Sequence, residues 1–146
     1  MIAKNTQNKK LLELMGVANE QLKRTDKSVG NFNDLFKTTN DYIYLYKISA
    51  IYFDNQMFAK ADSLTDILIQ KADTSKRIMI NLPDGTSQSV PILAACYNMK
   101  GAILAEGSNN IQGAIPYFQK ALKIDPEFAF PRLYLERISQ YLQQGR

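Results

Sequence analysis

The side chains that could do chemistry are few here, and they are scattered. The chain has no histidine, which removes the commonest general base and the commonest metal ligand. A serine can still be activated by a lysine. Ser63 and the pair Ser75-Lys76 lack the strained turn or glycine-rich frame that such a nucleophile needs, so they read as surface polar residues. Cys96 is the single cysteine, set between Ala95 and Tyr97 in a helical stretch. That setting predicts a buried structural thiol, and one cysteine excludes an internal disulfide. The glycines at 101, 107 and 113 are not followed by Gly-Lys-Ser/Thr, so no phosphate loop is formed. Asp62, Asp66 and Asp73 share helical spacing but not the loop that calcium requires, and read as a solvated face. No catalytic residue, metal ligand or cofactor is expected, and the chain is not read as an enzyme.

The remaining pattern is aromatic. Tyr42, Tyr46 and Phe53 fall within about 40° of one another at roughly 100° per residue, so they form one stripe along a helix. Either the stripe packs on the N-terminal helix, or it is a wall for a ligand. Charge adds little. The net charge is +4, and the basic residues occur only in isolated pairs such as Lys9-Lys10, Lys23-Arg24 and Lys76-Arg77. A nucleic-acid partner would want them clustered on one face, and none is expected. No stretch approaches ~18 apolar residues, so no membrane span is expected. The first ten residues lack the apolar core of a signal peptide. A cytoplasmic setting is therefore expected, although a trimmed leader would leave no trace.

Helices must position these residues. Leu11, Leu12, Leu14, Met15, Ala18 and Leu22 predict a helix over Asn8–Arg24. Asp26, Ser28 and Gly30 predict a loop over Thr25–Asn31, followed by a short helix over Phe32–Lys37. Asn40 or Asp41 is the expected N-cap of a helix over Tyr42–Asp54, apolar nearly all round and so covered on more than one side. Met57–Lys71 follows so directly that the two must be antiparallel neighbours. The period then changes to two. Ile78, Ile80 and Leu82, then Pro83-Asp84-Gly85, then Thr86–Val90, predict a β-hairpin over Lys76–Val90. Helix returns over Pro91–Glu106, over Ile111–Ile124, and from Pro126 to about Gln144. Pro116 and Pro131 sit past the first turn of their helices, so those helices either start later or bend.

Tyr42–Lys71 and Pro91–Ile124 are two helix–turn–helix units, and the second carries a pattern. Tyr97, Gly101, Leu104, Ala114, Phe118, Ala121 and Pro126 resemble the tetratricopeptide repeat (TPR), written W-x2-L-G-x2-Y, A-x3-F, P. Lys100 departs from the leucine of that pattern, and the turn Ser108-Asn109-Asn110 is one residue longer than usual. In the first unit Leu45, Ile48, Ser49, Tyr52 and Ala61 hold the same phase, with Thr65 in place of the phenylalanine and no closing proline. Small residues allow close helix approach, the aromatic fills the space behind them, and proline ends one helix as the next begins. Leu12, Met15 and Gly16 fit the first helix of a degenerate N-terminal unit whose second helix is expected to be too short.

The resemblance implies an all-α fold. Antiparallel helix pairs would stack as a short TPR-like solenoid with a capping C-terminal helix and the inserted hairpin outside the core. The expected divisions are 8–38, 41–72, 76–90, 91–125 and 126–144 within one domain. It also implies a noncatalytic interaction module, an adaptor or scaffold that binds a peptide or protein segment in a concave groove lined by the first helices. Tyr42, Tyr46, Phe53, Asn98 and Arg137 are the candidate contacts. A homodimer through the terminal helix or the hairpin is the alternative. The family's chaperone-binding class clamps a terminal carboxylate with lysine, asparagine and arginine. Tyr46, Ala50, Met99, Phe130 and Tyr134 stand at the comparable places, so that clamp is absent.

Overall fold

The computed structural model describes residues 2–145, with side chains from Asn8 onward. The elements are α1 (Ile2–Gln21), α2 (Thr25–Thr39), α3 (Ile43–Asp54), α4 (Phe58–Lys71), β1 (Arg77–Asn81), β2 (Ser87–Pro91), α5 (Ile92–Ala102), a π-helical turn (Ile103–Gly107), α6 (Ile111–Ile124) and α7 (Ala129–Gln144). The chain divides into two compact units, 1–64 and 65–146.

In the first unit the expected loop over Thr25–Asn31 is helix, and with Phe32–Lys37 it makes the single α2. Of the residues read as breakers, Ser28 has another task. Ser28 is buried, and its hydroxyl donates to the Gly16 carbonyl of α1 at 2.8 Å. A Cβ on Gly16 would sit 2.7 Å from the Phe32 ring. Gly16, Ser28 and Phe32 therefore make the same close contact that the TPR pattern makes with glycine, a small residue and phenylalanine. The N-terminal unit is a full helix pair, and its second helix is not short. Ser49 and Ala61 repeat the contact between α3 and α4, where the Ser49 hydroxyl donates to the Ala61 carbonyl at 3.1 Å. Tyr44 ties α3 to α1 through its hydroxyl, which donates to the Glu13 carboxylate.

The turns share one device. Lys23, Asn40, Gln56 and Asn109 all take left-handed backbone, with φ between 52° and 60°, a common way to end a helix. Asn40 is thus the C-cap of α2, its N–H donating to the Phe36 carbonyl. The N-cap of α3 is neither of the expected pair but Tyr42, which makes no side-chain cap bond; Asp41, just before it, accepts from the Ile43 N–H at 3.1 Å.

In the second unit Gly101 meets Phe118 as Gly16 meets Phe32, and a Cβ added to it would lie only 2.6 Å from the ring. Ala114, Phe118 and Ala121 are fully buried, and Phe118 stacks on Tyr134 of α7 with ring centroids 4.6 Å apart. The extra residue between Gly101 and Ala114 is absorbed by the π turn, a one-residue insertion inside a helix. Asn110 closes it, its N–H donating to the Leu104 carbonyl at 2.8 Å. Lys100, the departure from the pattern, spans to Asp66 of α4 at 2.7 Å and lies over the Tyr117 ring.

Of the two prolines, Pro131 is in the first turn, because α7 begins at Ala129 and not at Pro126. Pro116 is inside α6, where it leaves the Gln112 carbonyl without its helical donor. The hairpin forms as expected, antiparallel, with Ile78 opposite Val90. It does not stand outside the core: Ile78 and Val90 are buried. The Gln88 side chain donates to the Glu127 carbonyl and accepts from the Ala129 N–H, so β2 holds the start of α7.

Candidate functional site

The aromatic stripe forms on α3, but it is not a bare wall. Tyr42 is half-buried and meets Phe36 of α2 edge-on, with centroids 5.1 Å apart. Phe53 is half-buried and meets Phe58 of α4 in the same way at 5.5 Å. Tyr46, between them along the helix, is half-buried. The Tyr42 and Phe53 rings each have an edge held within the first unit, and all three rings are partly in solvent. Near the C-terminal end of α3, Glu20, Lys23, Thr25, Ile51, Asp54 and Asn55 line a polar recess of about 270 Å³. Partial burial and the charge of Asp54 raise the Glu20 carboxyl above its ordinary value, and Lys47 opposes the rise. A second cavity of about 440 Å³ lies among α2, α3 and α4, floored by Leu45, Ile48 and Tyr52.

Asn98 and Arg137 belong to the second unit. Asn98 is half-buried on α5, and its Oδ1 is buried without a hydrogen-bond partner. A buried amide oxygen without a donor carries a desolvation cost that most native side chains avoid. Arg137 is exposed on α7. The structure therefore places Tyr46 and Phe53 on α3 of the first unit, with Tyr42 at its N-cap, and Asn98 and Arg137 on separate helices of the second.

Sequence reasoning missed a cluster beside Asn98. Tyr97 and Tyr117 stack with centroids 6.4 Å apart, and Lys120 lies over both rings at 5.5 and 5.4 Å. The signal was present in the pattern: Tyr97 holds the tryptophan place, and a tyrosine there sets a polar tip near the surface.

Cys96 is buried, and burial alone pushes its thiol up to about 12. Among the described residues no group of three or more His, Cys, Asp or Glu is placed to hold a metal ion. No helix among them is long and apolar enough to cross a membrane.

No family model and no curated protein sequence matches the chain. Solved structures do. The Arabidopsis OM64 TPR domain superposes with a TM-score of 0.67 at 14% identity, covering 94% of this chain and 98% of that one. The TPR2AB domain of yeast Sti1, in complex with an HSP90 peptide, gives 0.72 at 14% identity, over 94% of this chain and 48% of that one. The second TPR domain of human RPAP3, in complex with the HSP70 peptide SGPTIEEVD, gives 0.65 at 9% identity, over 92% and 97%. At these identities the likeness is one of fold: the chain has the tetratricopeptide-repeat architecture, with a two-stranded hairpin inserted between two of its helix pairs.

Proposed function

We propose that this protein is a noncatalytic interaction module that binds a peptide or protein segment on the faces of its repeats' first helices. The single observation that carries the reading is Asn98. It stands on α5, the first helix of its repeat, and its buried Oδ1 has no donor. The residue as a whole is half-buried, so a turn of its side chain on binding would bring this oxygen to the surface, where a main-chain N–H of a bound segment would supply the donor. In the first unit Tyr46 and Phe53 on α3, with Tyr42 at its N-cap, offer apolar contact of their own, and in the second unit Arg137 offers a charge. Two of the structural neighbours are in complex with chaperone peptides, which supports the class of activity. The ligand differs in kind. Tyr46, Ala50, Met99, Phe130 and Tyr134 offer no cation to a terminal carboxylate, so the favoured segment is apolar or aromatic, held by its backbone.

The test is peptide display selection on the full chain, followed by titration of a selected peptide against wild type, Asn98→Ala and Tyr46→Ala. Losing one backbone hydrogen bond at Asn98 should weaken binding by about 1 kcal/mol, roughly fivefold or more. The melting temperature should hold or rise, because an unpaired acceptor is removed. Unchanged affinity in both variants would place the binding face elsewhere.

A further inference from the structure

The hairpin has two edges, and they are not alike. Leu82 donates to the Thr86 carbonyl and Ile92 to the Lys76 carbonyl, at 2.8 and 3.0 Å. With Ile78 opposite Val90 and Ile80 opposite Gln88, the alternation of an antiparallel ladder turns the main-chain groups of Lys76, Ile78, Ile80 and Leu82 toward β2. The N–H and C=O groups of Arg77, Met79 and Asn81 therefore point outward.

The outer edge of β2 is blunted. Pro91 has no N–H, and the Ser89 carbonyl accepts from the Arg77 guanidinium at 3.0 Å. The outer edge of β1 carries no proline, no bulge and no charge at its centre. Arg77, at its end, has its guanidinium drawn across to Ser89. Met79, at the middle, is 64% exposed. Natural sheets blunt such edges, and this one is left open.

We propose that β1 pairs antiparallel with β1 of a second copy, joining two hairpins into one four-stranded sheet across a two-fold axis. The strand Arg77-Ile78-Met79-Ile80-Asn81 reads nearly the same in both directions. Centred on Met79, the pairing sets Met79 opposite Met79, and Arg77 opposite Asn81, with each pair exchanging both its hydrogen bonds. The exposed methionines cover one another on one face, and Ile80 gains Ile78 of the second copy on the other. A parallel pairing in register would set Arg77 against Arg77. Sliding the antiparallel register by two residues leaves one outward pair without a partner. A self-complementary patch is what a two-fold interface requires. This pairing is independent of the peptide reading, and its failure leaves that reading intact.

The experiment is sedimentation of the full chain from micromolar to near-millimolar concentration, with amide hydrogen exchange at both ends of the range. The wild type is expected to dimerise, and the amides of Met79 and Asn81 to slow with concentration while those of Ile78 and Ile80 stay protected throughout. Met79→Pro removes only an outward N–H, and Met79→Glu sets two carboxylates face to face. Each should weaken the dimer at least tenfold, and having both guards against a variant that misfolds. A chain that stays monomeric, with Met79 and Asn81 exchange independent of concentration, overturns the proposal and leaves the edge to an extended segment of another protein. A dimer that survives both variants overturns it too.

Discussion

Gly16 and Gly101 are where a single methyl group would do most harm. Alanine at either would bring Cβ to 2.7 or 2.6 Å from the ring of Phe32 or Phe118, and both rings are buried with little room to move. Each substitution should cost about 1–3 kcal/mol by overpacking, read as a lower melting temperature. Gly30 is the control. A Cβ there meets nothing within 4 Å, so Gly30→Ala inside α2 should be neutral or stabilising by about 0.5 kcal/mol. Cys96 offers a pH test. Its thiol stays neutral in the fold up to about 12, whereas its ordinary value is 9.0. Between those values the unfolded chain loses the proton and the native one keeps it. Stability is therefore lost as pH rises through this window, by up to about 1.4 kcal/mol per unit from this group. Urea midpoints at pH 8 and 10.5 should fall further in wild type than in Cys96→Ala. The Gly101 contact was legible because Ala114-x3-Phe118 follows it in known phase. The equal contact at Gly16 was not, since Asp26, Ser28 and Gly30 look like turn residues. Only the buried bond from Ser28 to the Gly16 carbonyl shows why a serine belongs inside α2.

Among the elements, the hairpin is where local pattern and tertiary role part company. Its alternation and its Pro83-Asp84-Gly85 turn are plain in the sequence, and Gly85 does take positive φ, at 89°. Its burial is not plain, because Ile78 and Val90 alternate with exposed residues just as the strands of a free-standing hairpin would. Replacing Lys76–Val90 with a Gly/Ser linker is thus expected to lower the melting temperature sharply, since it removes two buried side chains and the Gln88 bonds to Glu127 and Ala129. Gln88→Ala isolates the second part. It should cost about 1–2 kcal/mol and speed amide exchange at Ala129 while leaving the ladder intact. The π turn was legible only as a count. One surplus residue between Gly101 and Ala114 shows in the sequence, but whether the loop or the helix absorbs it depends on packing against Phe118.

At the scale of the whole molecule, the repeat pattern announces the architecture, and solved TPR domains cover nearly all of the chain. The proposed binding face is less legible. Periodicity brings Tyr42, Tyr46 and Phe53 to one side of α3, yet it cannot say that Phe36 and Phe58 hold two of those rings. Nor can it say that the Asn98 oxygen is buried without a donor. Those facts depend on neighbours distant in sequence. Binding by the first helices of the repeats can be read by NMR chemical-shift mapping of a selected peptide on the full chain. The largest changes are predicted at Tyr46, Phe53 and the side-chain amide of Asn98. Changes confined to the outward residues of α4 and α6, with the Asn98 amide unmoved, would contradict it.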